Sequence, residues 1–138
     1  MSNKALVIGI NKYAPPNSLP SCVNDANRFS ELLSSTYQFD DITTLLDADA
    51  KRANIASALD ELFNGAQPDD CLVFFYSGHG YTHKVGSVVE EALVGQDLKF
   101  FNSSDLLQAM QDLPAGILTI VLDSCFSGGL EKFVFMPG

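Results

Sequence analysis

The stretch "CLVFFYS" at 71–77 places the strongest limit on the fold. It is a continuous apolar run with no polar alternation, bounded by "QPDD" and by "SGHG". A strand of this kind has no wet face, so it needs cover on both sides, as in the middle of a parallel sheet. Two further runs have the same character: "KALVIGI" at 4–10 and "GILTIVLD" at 116–123. "ITTLLD" at 42–47 reads as a shorter strand and "EALVG" at 91–95 as a short strand or hairpin arm.

Between the strands lie segments with helical spacing. In "SCVNDANRFSELLSS", Val23, Ala26, Phe29 and Leu33 repeat on one face, and Ser21 is in place to cap the start. "ADAKRANIASALDELF" at 48–63 brings Ile55, Leu59 and Leu62 to one side, with Asp49 as the expected cap. "SSDLLQAMQDL" at 103–113 reads as a third helix with Leu106, Leu107 and Met110 inward. The order β-α-β-α-β-(β)-α-β predicts an α/β fold, a three-layer αβα arrangement around a mainly parallel central sheet. The last strand, 116–123, is expected to be fully buried. No repeat, linker or low-complexity segment interrupts the chain, so its 138 residues are read as one domain, 1–138.

The charge balance narrows the partners. The formal net charge is −9 with only eight Lys and Arg, which disfavours nucleic acid and suits cationic substrates. The three cysteines, Cys22, Cys71 and Cys125, form no C-x-x-C and suggest neither a disulfide framework nor a zinc ribbon. A reducing compartment follows from that usage. No apolar run approaches the length of a membrane span and the start lacks a secretory signal pattern, so a cytoplasmic location is expected.

Ligand sites in parallel sheets form at the carboxyl ends of the strands. Three segments should open there together: loop 11–20, "SGHG" at 77–80 and "DSCFSGG" at 123–129. Cys125 is the candidate nucleophile, since a thiolate becomes effective when an imidazole manages its proton. His79 is its candidate partner, flanked by Gly78 and Gly80, which allow a tight turn and close approach of a substrate. The backbone N–H groups of Gly80 and Cys125 are the candidate oxyanion donors. A rival, His83, lacks both the flanking glycines and the preceding strand.

"YSGHG", followed 46 residues after its His by "DSC-x-SGG", resembles the caspase/metacaspase clan of cysteine peptidases. "ALVIGINKY" and "SCVNDANRFSELL" are similar to that clan's first strand and first helix, so the likeness runs from about residue 4 to 130. Q-A-C-x-G, the metazoan caspase signature, is absent, and Asp-Ser-Cys-x-Ser-Gly is closer to metacaspases and their bacterial relatives. The resemblance implies a caspase-like fold and a Cys–His endopeptidase acting after Arg or Lys. It also implies a specificity pocket of Cys22, Asp25, Ser77 and Asp123. Two carboxylates there would attract a cationic side chain. Each also has an ordinary structural use: Asp25 as a first-turn acid on the helix dipole, Asp123 as a hydrogen-bonding strand end.

Phe126 stands where metacaspases commonly have His, so it is assigned no catalytic role. Some metacaspases hold calcium with acids after the His and just after the Cys. Here the first segment offers Glu90, Glu91 and Asp97, and Lys132 lies near an expected acid. Glu90 and Glu91 are therefore read as a solvated loop edge, and no cofactor is expected, with calcium as the alternative. By the same resemblance the chain is a large-subunit portion. The small-subunit strands would come from another segment of the precursor, and Lys132 suits basic-directed processing. Two other functions compete: a catalytically silent scaffold or regulator of the same fold, and a nucleotide-binding α/β domain. No G-x-G-x-x-G follows the first strand and no G-x-x-x-x-G-K-[ST] occurs, which counts against the latter.

Overall fold

A computed structural model describes residues 1–124. The elements are β1 (Asn3–Gly9), α1 (Cys22–Ser35), β2 (Asp41–Leu46), α2 (Arg52–Phe63), β3 (Cys71–Ser77), β4 (Gly80–Val85), β5 (Val88–Val94), β6 (Phe100–Asn102), α3 (Ser103–Ala109) and β7 (Leu118–Asp123). Among the described residues, one sheet has the order β2-β1-β3-β7 and is parallel throughout. This is the α/β architecture expected, with the uninterrupted apolar runs of β1 and β3 at its centre.

The alternation of side chains along β1 divides the core into two layers. Leu6 and Ile8 join Leu72, Phe74, Ile55, Leu59 and Leu62 on the α2 side. Ala5 and Val7 join Ala26, Leu33, Val73 and Phe75 on the α1 side. The middle strands are thus covered twice, which a run such as "VFFY" requires. α1 lies close against β1: a Cβ on Gly9 would come within 2.6 Å of Ala26 Cβ and 2.7 Å of the Cys22 carbonyl oxygen. The glycine lets the start of α1 sit directly on the end of β1.

Several expectations need correction. Ser21 occupies the cap position of α1 without a side-chain cap bond. Asn11, ten residues earlier in the chain, does this work instead, its Oδ1 accepting the Val23 N–H at 3.0 Å. The second helix begins at Arg52, not 48, because Asp47–Asp49 form a separate 3-10 turn entered at Asp47 with φ +49°. Asp49 therefore caps nothing in α2. The third helix stops at Ala109, and Leu107 is 67% exposed, since Leu106 takes the inward direction. β7 is not fully buried: Ile120 and Leu122 are 36% and 43% exposed. α3 packs on β5, β6 and α2, leaving that face of β7 thinly covered. β7 is an edge strand among the described residues.

β4, β5 and β6 form a second, antiparallel sheet of order β4-β5-β6. Only part of β5 is legible as an apolar segment. β4 carries Thr82 and Lys84 on an exposed face, and its hairpin turns at Gly86 with φ +66°.

Gly9→Ala should lower unfolding free energy by about 1–3 kcal/mol, because the added methyl meets backbone and a buried alanine with no room to yield. Urea denaturation against the parent chain measures it, and an unchanged midpoint would contradict the packing.

Candidate functional site

The parallel register brings the candidates Ser77 and Asp123 to one edge. Gly9 pairs with Ser77, and Ser77 pairs with Asp123. Ser77 Oγ lies 3.5 Å from Asp123 Oδ2, a long contact, so the strand register rather than this bond aligns the two. Ser77 is buried and Asp123 exposed. His79 lies two residues past Ser77; Cys125 lies two residues past Asp123 and outside the described residues. Cys22 is buried in the cluster with Tyr13 and Tyr76, while Asp25 sits half-buried in the first turn of α1. Spacing of three residues on a helix puts Cys22 and Asp25 on neighbouring positions of one face. Gly80 is buried and opens β4, paired with Leu93.

His79 is only 4% exposed. Its Nε2 lies 2.7 Å from the main-chain oxygen of Asn17. A carbonyl only accepts, so Nε2 carries the hydrogen, and in the neutral ring Nδ1 is then the basic nitrogen. The tilted ring of Tyr13 lies 4.7 Å away, centroid to centroid. The turn is tied to the second sheet as well, with Val94 N–H donating to the His79 carbonyl at 3.1 Å.

Loop 11–20 is itself held firmly. Asp47 Oδ1 accepts the N–H groups of Asn11 and Lys12 at 2.8 and 2.9 Å. The Asn11 carbonyl accepts from Tyr13 and Leu19 at 3.1 and 2.8 Å. An acid at the end of β2 thus shapes the loop that offers the Asn17 oxygen to His79. Sequence reading identified this loop but missed Asn17, because a backbone oxygen leaves no residue signature. It also missed Asp47, whose partners are backbone N–H groups far away in the chain.

Gly78 has a stricter role than turning. A Cβ there would fall 2.7 Å from the hydroxyls of both Tyr13 and Tyr76. The two phenols were legible only as strand and loop residues. A tyrosine inside an apolar run needs a partner for its hydroxyl, and that was the available signal. Burial pushes both phenols well above their ordinary pKa, so each keeps its proton.

Matched to known families, residues 2–135 fit the caspase domain. The chain belongs to the caspase domain family. Its relatives include metacaspase-7 and metacaspase-4 of Arabidopsis thaliana, at 36% and 35% identity over 94% of this chain, and metacaspase-1 of Cryptococcus neoformans var. neoformans, at 38% over 91%. The chain spans about a third of the length of these relatives, covering 36%, 34% and 31% of them respectively. A crystal structure of a Geobacter sulfurreducens protein shares the fold, with TM-score 0.79, 24% identity, and coverage of 94% of this chain and 53% of that one. The three-layer arrangement with its parallel central sheet is therefore a caspase-like fold.

Several other acids and the second imidazole of this caspase domain have structural partners. His83 Nε2 bonds Asn102 Oδ1 at 2.8 Å, at the start of α3. Asp97 Oδ1 accepts the Arg52 N–H at 3.2 Å. Glu91 is exposed, as expected. Glu90 is not merely a solvated edge: its Oε1 accepts the Ser104 N–H at 3.0 Å, with Ser103 Oγ at 3.4 Å. Hydrogen bonds from Ser104, side chain first, lower the Glu90 pKa, with smaller help from Ser103 and the nearby His83. A depressed carboxyl stabilises the fold above its unfolded pKa and ceases to do so as pH falls through the folded value.

Glu90→Gln should therefore destabilise the chain near neutrality, and the gap from the parent should close as pH falls below the ordinary carboxylate range. Chemical denaturation across that range reads the difference; a gap that widened in acid would contradict this role.

Proposed function

We propose that this chain carries the catalytic dyad of a cysteine endopeptidase that cleaves after Arg or Lys. The observation that carries the reading is the Ser77–Asp123 register, which sets the ends of β3 and β7 side by side; in the sequence His79 follows Ser77, and Cys125 follows Asp123, by two residues. Membership of the caspase domain family and the metacaspase relatives support it further.

In this reading Cys125 and His79 act as a dyad. The Cys125 sulfur, as thiolate, adds to the carbonyl carbon after the basic residue. The N–H groups of Gly80 and Cys125 stabilise the resulting oxyanion. The imidazolium of His79 protonates the departing amine as the C–N bond breaks, leaving a thioester. His79 then takes a proton from water, whose oxygen adds to the thioester and releases the acid and the thiolate. The Nε2–H bond to Asn17 favours this cycle, because it fixes one tautomer and orients the ring. Thiolate and imidazole supply the nucleophile and the acid, so the reaction needs no cofactor or metal.

Cys22, Asp25, Ser77 and Asp123 form the proposed pocket for the basic side chain. Its support is their convergence where α1 begins and where β3 and β7 end. The net charge of −9 favours encounter with cationic peptides. A small-subunit segment of the same precursor is the proposed partner of β7, whose Ile120 and Leu122 are uncovered on one face. A cytoplasmic setting suits a thiol nucleophile. No helix among the described residues is long and apolar enough to cross a membrane.

In the full-length protein, Cys125→Ala should abolish cleavage of Arg- and Lys-terminated reporter peptides without changing the circular dichroism spectrum. Undiminished cleavage would remove the dyad. Asp25→Ala should lower kcat/KM for those reporters by roughly tenfold or more, the scale of one charge-assisted contact. Full activity on basic reporters would sink the acidic pocket while leaving the dyad intact.

A further inference from the structure

Two phenols that the proposed chemistry does not use converge on the main chain of His79. Tyr13 comes from the loop after β1 and Tyr76 from β3, and both are buried. The His79 N–H donates to Tyr13 Oη at 3.0 Å. The Tyr76 hydroxyl donates to the His79 carbonyl at 2.6 Å. The two phenol oxygens are 3.2 Å apart. One set of protons runs in a single direction: His79 N–H to Tyr13, Tyr13 O–H to Tyr76, Tyr76 O–H to the His79 carbonyl. That circuit begins and ends on one residue, and hydrogen bonds in such a chain strengthen one another. The Val94 carbonyl offers each hydroxyl an alternative acceptor, at 2.9 Å from Tyr13 and 3.0 Å from Tyr76.

Neighbouring geometry leaves this arrangement little slack. A side chain on Gly78, the residue before His79, would strike both hydroxyls. The Tyr13 ring also rests against the imidazole. Tyr13 thus touches His79 twice, by hydroxyl on the main chain and by ring on the side chain.

We infer that Tyr13 and Tyr76 are positioning residues that grip His79 by both its N–H and its C=O, so that the imidazole keeps Nε2–H on the Asn17 carbonyl. The inference rests on the reading of His79 as the general acid and base, and it adds the residues that hold it there. His79 lies between two glycines, and besides the tyrosines its main chain is held at the carbonyl by the Val94 N–H. The 2.7 Å contact to Asn17 joins two loops, and a small rotation at His79 would open it. The Asn17 bond that fixes ring orientation and tautomer then depends on the tyrosine grip.

Tyr13→Phe and Tyr76→Phe, made singly in the full-length protein, test this. Each keeps the ring and removes one link of the circuit. Turnover of Arg- or Lys-terminated reporters should fall in kcat by up to about a hundredfold with little change in KM, as for a catalytic group displaced by an ångström. Imidazole 15N chemical shifts, with the His79 signals identified by their loss in His79→Gln, should move from a single Nε2–H tautomer toward an average of the two. A residue that merely fills the core would lower thermal stability and leave both readouts unmoved. Folded variants with parental kcat and parental 15N shifts would overturn the inference. Should neither variant fold, hydrogen–deuterium exchange of the His79 amide in the parent protein decides: protection like that of β3 is expected, and exchange as fast as an exposed loop overturns it. If the parent protein cleaves no peptide, the proposed function fails, while the 15N shifts still test the grip.

Discussion

Pairing of β3 with a parallel strand on each side is the constraint from which the rest of the structure follows. β3 is paired with β1 along its whole length and with β7 from Leu72 onward, and an unpaired peptide group in so buried a strand would be costly. The register cannot slip by one residue either. A slip would turn Leu72, Phe74 and Tyr76 toward the layer now filled by Val73 and Phe75. Gly9, Ser77 and Asp123 therefore end in one line. The start of α1, the loop after β1 and the His79 turn all meet along it.

Along that line the structure relies on backbone groups. Asp47 gathers two N–H groups, Asn11 caps α1, and Asn17 offers its carbonyl to the imidazole. Such groups belong to a fixed frame, and their orientation needs no adjustment when charge develops nearby, which is the condition for electrostatic preorganisation. The tyrosine pair extends the same logic one layer inward, with phenols that keep their protons because they are buried. Glu90 and Asp105 perform comparable work at the start of α3, where Asn102 and Asp105 form a capping box. These acids hold the second sheet to the helix that follows it.

The parts legible beforehand were those set by apolar patterning. β1 and β3 were read within a residue or so, because uninterrupted apolar runs leave few alternatives. Helix faces followed for Ile55, Leu59 and Leu62, whose spacing matches one side of a turn. Patterning failed where the partner decided the outcome. Leu107 and Leu122 have the same composition as core leucines, and only the placement of α3 on the second sheet exposes them. β4 was missed because a ribbon with a polar face and a histidine carries little apolar signal. Ser21 had the right chemistry and position for a cap, yet a distant asparagine reached the helix end first.

From the order of its residues alone, the chain declares the layered α/β fold, the strands at its centre and the edge at which chemistry could be done. Those properties depend on period and adjacency, which a linear chain carries in full. Which oxygen faces His79, which phenols hold its backbone and which leucines stay wet were decided only when segments far apart in the chain came together. Each of these is a contact between residues separated by tens of positions, and such contacts exist only once β1, β3 and the second sheet have packed.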